Sequence, residues 1–185
     1  MALREILTEP SKLLREKSLT VENVDEDLQK LMDDMLETMY AAPGIGLAAI
    51  QVGVPKRVIV LDIGWQNKPE STNDEKQVVR KNPMYFVNPE IITKSTNNST
   101  YEEGCLSVPG QFAEIERPDK CHIRYLDYYG QPKEIVAEGM FATCIQHEID
   151  HLEGILFIDY LSKLKKSMIF KKLLKQKEQL DRIII

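Results

Sequence analysis

Histidine is scarce in these 185 residues, with three copies, and cysteine is equally scarce. An odd number of thiols without framework spacing argues against a disulfide scaffold and fits a reducing compartment. No stretch is long and apolar enough to span a bilayer, so no transmembrane helix is expected. Met1-Ala2-Leu3-Arg4-Glu5 becomes charged at once, with no apolar run ahead of a small-residue cleavage site. A secretory signal is therefore not expected, and a cytoplasmic location is. Repeats, low-complexity tracts and an internal domain boundary are also missing, which leaves one domain over 1–185. With 43% hydrophobic residues, a chain of this length can bury a sizeable core.

The charge is unevenly spread. From Leu161 to Ile185 seven Lys and one Arg face Glu178 and Asp181, a net of +6, so the rest of the chain carries −11 to reach the total of −5. The C-terminal stretch reads as a basic amphipathic helix over 161–185, with an apolar stripe of Leu161, Leu164, Met168, Leu173 and Leu174. A lysine face is as consistent with plain solvation as with a polyanionic partner.

Two of the three histidines fall in one motif, His147-Glu148-Ile149-Asp150-His151. On a helix, residues at i and i+4 project from one face, so His147 and His151 can grip one divalent metal. Glu148 leans over the same quadrant as a proton carrier. The third ligand decides the enzyme class. A metzincin protease would place a histidine where this chain has Phe157, and the continuation Leu152 to Phe157 offers no ligand. Cys105, in Glu103-Gly104-Cys105-Leu106-Ser107, is the better candidate. A thiolate suits a late divalent metal, and Cys plus two His leaves a fourth position for water. Cys144 sits three residues before His147 on the same face, so it is expected to line the pocket without binding metal. His122 alternates with Ile123 and Tyr125 in a strand pattern and is left out of the site.

Along the rest of the chain, Pro10 to Ser18 reads as a short opening helix. Asn23 followed by Glu26 resembles a capping box ahead of an amphipathic helix, which Pro43 and Gly44 end. Gly44-Ile45-Gly46-Leu47-Ala48-Ala49-Ile50-Gln51 fits a dinucleotide fingerprint only superficially, because it follows a helix where a strand is required. Its glycines allow either a plain turn or a backbone running close beside an extended ligand. Strands are expected at Arg57 to Asp62, Tyr85 to Ile92, Gln111 to Glu116, His122 to Asp127 and Glu134 to Glu138. Turns are expected at Asn97-Asn98-Ser99 and Tyr129-Gly130. Gly64 to Asn82 is polar and aperiodic and reads as a surface loop. The metal helix is expected near Met140 to Leu152, followed by a short apolar strand at Ile155 to Ile158.

Taken in order, Gly44 to Gln51, Glu103 to Ser107 and His147 to His151 resemble the three motifs of bacterial peptide deformylases, G-x-G-φ-A-A-x-Q, E-G-C-L-S and H-E-x-D-H. The likeness covers nearly the whole chain, including Met1-Ala2-Leu3-Arg4 and a C-terminal helix typical of the type I branch. It implies an α+β fold with antiparallel β-sheets around a central metal-binding helix. It further implies Cys105, His147 and His151 as metal ligands and Glu148 as general acid/base. Gln51 and the Leu106 N–H become oxyanion donors. Gly44, Ile45 and Gly46 would lie along the substrate peptide, with Thr143 and Cys144 in the methionine pocket. Glu103 and Arg117 match positions that brace the site. The implied metal is Fe(II), with Zn(II), Ni(II) or Co(II) able to replace it. The implied substrates are N-formylmethionyl nascent peptides, and the implied partner of the C-terminal helix is the ribosome, with no DNA and no membrane involved. The chain departs from the common pattern in its longer Gly64–Asn82 segment and in Phe112, where some members carry Arg. The rival readings are a metalloendopeptidase and a non-catalytic zinc-stabilised binding domain closed by a fourth protein ligand.

Overall fold

Leu28, Leu31, Met32, Met35 and Met39 recur at helical spacing, and they form the buried stripe of helix α1 (Glu26–Ala41) in the computed structural model, which describes residues 2–64 and 81–183. The N-cap is Asp25, whose carboxylate accepts the Leu28 N–H at 2.8 Å. The capping box expected at Asn23 and Glu26 is thus not formed, because a carboxylate two residues later already satisfies the first-turn donor. The opening helix expected over Pro10 to Ser18 shrinks to one 3-10 turn, Lys12–Arg15, pinned by the fully buried Leu14.

Five strands make one antiparallel sheet in the order β1-β2-β3-β6-β7: β1 (Gly46–Ala48), β2 (Val58–Leu61), β3 (Met84–Lys94), β6 (Lys120–Leu126) and β7 (Pro132–Glu138). A second sheet pairs β4 (Asn98–Cys105) with β5 (Val108–Pro118), also antiparallel. The sequence suggests a turn at Asn97 to Ser99, but Asn98 already opens β4. Most outward positions of this strand are polar and exposed, so it carries little hydrophobic signal. The apolar run Ile155–Ile158 is not a strand either. Its end joins a 3-10 turn, Phe157–Tyr160, whose Phe157 and Ile158 are buried.

Helix α2 (Gly139–Leu152) lies on the larger sheet, where Ala142, Ile145, Ile149 and Leu152 pack among Ile59, Leu61, Phe86 and Ile123. Burying each such large aliphatic or aromatic side chain contributes about 1.5–3 kcal/mol, which makes this interface the rigid bed for the histidine motif. Cys121 is buried in the same cluster, as a core residue. His122 stands away from it on β6, 2.9 Å from Glu134 Oε2. A separate cluster below β4 and β5 seats helix α3 (Lys163–Ile183) through Ile169 and Leu173. The helix is rotated from the expected stripe: Leu164, Met168 and Leu174 are exposed.

The ends of the polar Gly64–Asn82 segment meet on one buried carboxylate. Asp62 Oδ1 accepts the Gly64 N–H at 3.1 Å, and Oδ2 accepts the Asn82 N–H at 2.8 Å and the Tyr40 hydroxyl at 2.6 Å. The loop expected there lies, over 65–80, outside the described residues. No helix among the described residues is long and apolar enough to cross a membrane.

Candidate active site

Three elements converge on one cleft of about 570 Å³: the turn into β1, the β4–β5 connection and one face of α2 from Met140 to Glu148. The i, i+4 spacing on α2 aims both imidazoles the same way, with ring centroids 5.0 Å apart. The β4–β5 connection brings the Cys105 thiol to them, with Sγ 3.2 Å from His151 Nε2. Ligand atoms of Cys105, His147 and His151 all lie within 4.8 Å of one another, the one such cluster among the described residues. One sulfur and two imidazole nitrogens at this mutual distance are a donor set that would fit a single divalent ion. No acidic, histidine or further cysteine ligand completes a fourth corner in that cluster. Phe157, at the metzincin ligand position, is instead core and stacks on His147 at 6.2 Å between centroids.

The ligand geometry has an outer layer. His147 Nδ1 lies 2.8 Å from Glu103 Oε2, which leaves Nε2 for the ion. Arg117 grips Glu103 with two hydrogen bonds, at 2.5 and 3.0 Å, and reaches Asp150 at 2.7 Å. The Tyr160 hydroxyl donates to the same Asp150 oxygen at 2.8 Å. Burial by itself would raise the Glu103 carboxyl, but its hydrogen bonds to His147 and Arg117 hold it below the usual carboxylate range. The bracing pair anticipated from sequence is therefore part of a four-residue chain, and Asp150 and Tyr160 are members that sequence reasoning missed. Asp150 lies within the histidine motif and could have been suspected; Tyr160 had no signal.

Glu148 is 5% exposed, and its Oε2 has no hydrogen-bond partner among the described residues. Burial pushes its carboxyl up to about 7, against the opposing pull of His147. A carboxyl poised there can take and return a proton near neutrality. Gly46 is what admits it: a Cβ at that position would overlap Glu148 Oε1 and stand 2.8 Å from Leu61 Cδ2. Gly44 likewise lies under Leu106, whose Cδ1 would be 2.8 Å from an added Cβ. Both glycines therefore stand close against side chains of the chain itself, Glu148 and Leu61 at Gly46 and Leu106 at Gly44.

Gln51 sits in a 3-10 turn (Ala49–Val52) directly after β1. Its Oε1 accepts the Ala48 N–H at 2.9 Å, which turns Nε2 toward Ser107 Oγ at 3.0 Å and Cys105 Sγ at 3.6 Å. Leu106 follows Cys105 in the same connection and lines the cleft, as do Gly44, Ile45, Gly46, Thr143 and Cys144. Burial pushes the Cys144 thiol up to about 12, and its sulfur is not among the ligand atoms that gather within 4.8 Å of one another. The metal, catalytic and substrate-binding residues expected from the sequence line this cleft, except His151, which lies fully buried behind it; of the bracing pair, Glu103 lines it and the buried Arg117 does not. Phe112, on β5, lies over Gly104 at the rim.

Comparison with known proteins gives a consistent answer. Residues 3–167 match the sequence profile of the family described as polypeptide deformylase. The peptide deformylase of Pelagibacter ubique is 62% identical over 185 residues, covering 100% of both chains, and that of Maricaulis maris is 58% identical over 98% of both. Among solved structures, the Ehrlichia chaffeensis peptide deformylase in complex with actinonin superposes with a TM-score of 0.85 at 44% identity, over 95% of this chain and 98% of that one. A peptide deformylase from Legionella pneumophila gives a TM-score of 0.85 at 44% identity, over 98% and 99%.

Proposed function

The chain belongs to the polypeptide deformylase family, and from that premise we propose how its own residues carry out the reaction. The protein is a metal-dependent hydrolase that removes the N-formyl group from N-formylmethionine of newly made polypeptides and releases formate. The observation that carries the residue assignment is the meeting of Cys105, His147 and His151 within 4.8 Å, beside the buried Glu148 carboxyl, whose Oε2 has no hydrogen-bond partner among the described residues.

Cys105, His147 and His151 would hold the ion, and Glu103 orients His147 through Nδ1. When bound, the metal supplies a Lewis acid that brings the ionisation of water from 15.7 toward about 7. Glu148 takes the proton of the attacking water and returns it to the departing amine, which must be protonated to leave. Gln51 Nε2 and the Leu106 N–H meet the charge that develops on the formyl oxygen; one such donor is worth about 3 kcal/mol of barrier. Gly44, Ile45 and Gly46 run beside the substrate backbone, and Thr143 and Cys144 line the pocket for the methionine side chain. A Cys and two His donors accept several late divalent ions; Fe(II) is the ion proposed, from the family likeness and not from the donor set, with Zn(II), Ni(II) or Co(II) as substitutes.

The whole chain, 1–185, acts as one catalytic domain working in the cytoplasm, where formylated chains emerge. Exposed Lys163, Lys165, Lys171, Lys172 and Lys175 have no carboxylate partner among the described residues, which supports docking of α3 on ribosomal RNA. The test is formate release from a formyl-Met peptide by anaerobically purified protein. Turnover that chelator abolishes and metal restores is expected; an inactive metal-loaded protein would refute the reading.

A further inference from the structure

The three motifs that build the site are far apart in sequence, and one segment touches all of them. The Leu7 N–H donates to the Gln51 carbonyl at 2.7 Å, the Glu9 N–H to the Ser107 carbonyl at 2.9 Å, and the Ser18 N–H to the Leu152 carbonyl at 2.8 Å. These acceptors belong to the Gln51 turn, to the connection bearing Cys105 and Leu106, and to the last turn of the histidine helix. Main-chain hydrogen bonds of this kind fix relative placement without touching substrate.

The segment is itself pinned by charge. Glu9 is 7% exposed, and its carboxylate forms an ion pair with Arg15. Arg15 also reaches Asp159, at 2.5 Å. Asp159 in turn accepts the Leu156 N–H at 2.9 Å and pairs with Lys166 on α3. The Arg15 backbone is tightly seated as well: a Cβ on Gly154 would collide with the Arg15 carbonyl. Glu9 is close to completely removed from water, and the Arg15 guanidinium is the cation that pairs with its carboxylate there.

We propose that Leu7–Ser18 is a strap setting the spacing between the oxyanion donors and the metal ligands, and that Glu9 and Arg15 are positioning residues for the reaction. Neither lines the cleft. The inference rests on the deformylase reading for its assay. Loss of the Glu9–Arg15 pair frees the Ser107 contact, so the Leu106 N–H drifts relative to Gln51 while the peptide-binding edge at Gly44–Gly46 is left as it was. The signature is therefore a fall in kcat without a matching change in KM. A displacement of about 1 Å at a catalytic group can lower rates by about 100-fold, and a loosened contact should give on the order of tenfold.

The test compares Glu9→Gln, Arg15→Met, the double variant and Arg15→Lys in formate release, with metal content and thermal unfolding measured on the same samples. Expected are kcat values about tenfold lower for Glu9→Gln and Arg15→Met, KM within about twofold, and full metal content. The double variant should be no slower than either single one, and Arg15→Lys should recover most of the rate. Unchanged kcat in both single variants overturns the proposal. So does a loss that vanishes once the assay is run well below the variant's unfolding temperature, because that is general destabilisation. Wild-type protein that releases no formate would sink the deformylase reading instead, so the two failures are distinguishable.

Discussion

Replacing Gly46 by alanine tests the close approach on which the proton carrier depends. The added Cβ would stand 2.9 Å from Glu148 Cδ and 2.8 Å from Leu61 Cδ2, and would overlap Glu148 Oε1. Comfortable carbon contacts lie near 3.5–4.0 Å, so the carboxylate must retreat by roughly 1 Å or β1 must lift off Leu61. Leu61 is fully buried and cannot give way freely. Overpacking of this kind costs about 1–3 kcal/mol of stability, and a 1 Å displacement of a reacting group lowers the rate by about 100-fold. The assay is kcat for formate release, with metal content checked, since no ligand is touched by the change. Gly53→Ala is the companion variant: its φ is +82°, and nothing lies within 4 Å of the added Cβ. It should lose about 1–2 kcal/mol of stability through the left-handed backbone and keep kcat within about twofold. A Gly46→Ala protein with kcat within about twofold of wild type would refute the geometric argument.

Other outcomes follow from the same contacts. Glu148→Gln keeps the shape but cannot take a proton, so it should retain metal and lose about 10²–10⁴ in kcat, measured on metal-loaded protein. Gln51→Ala removes the Nε2 donor and should reduce kcat by about 10²–10³ with metal retained; near-normal turnover would remove Gln51 from the mechanism. Asp34 is buried, and its carboxyl is held below the ordinary value by hydrogen bonds from the Ala2 N–H and the Arg4 guanidinium. A depressed folded-state pKa stabilises above the unfolded value near 4 and is lost as pH falls through the folded one. Urea unfolding should therefore show Asp34→Asn destabilised at pH 7, with the gap to wild type narrowing below about pH 4. Replacing the exposed Lys163, Lys165, Lys171, Lys172 and Lys175 by Gln should weaken salt-sensitive ribosome binding in co-sedimentation while leaving the ligand cluster and the seat of α3 intact; unchanged binding would remove α3 as the dock.

The parts of the site carried by side-chain pattern were legible in the sequence. The i, i+4 histidines, the adjacent glutamate and the glycine pair each leave a compositional mark, and the structure brings them together at one cleft, with His151 buried behind it. The amphipathic stripe of α1 was equally plain, because Leu28, Leu31, Met32, Met35 and Met39 all face the core. Elements held by backbone geometry were not. Strand β4 is polar on its outer face and begins at an Asn that reads as a turn, so only its pairing with β5 defines it. Ile155–Ile158 is apolar enough for a strand, yet it follows Gly154 at φ +73° and its end, with Phe157 and Ile158 buried, joins the 3-10 turn Phe157–Tyr160. The rotation of α3 depends on which residues meet the β4–β5 cluster, and a stripe with lysines on both sides does not specify it. The strap at Leu7–Ser18 works through main-chain donors that every sequence possesses.

X-ray absorption on anaerobically metal-loaded protein is the most direct measurement of the ligand assignment. With zinc as the probe ion, one sulfur near 2.3 Å, two imidazole nitrogens near 2.0–2.1 Å and one light solvent atom are expected, and Cys105→Ser should erase the sulfur contribution. A second sulfur, or a sulfur signal that survives Cys105→Ser, would contradict the account.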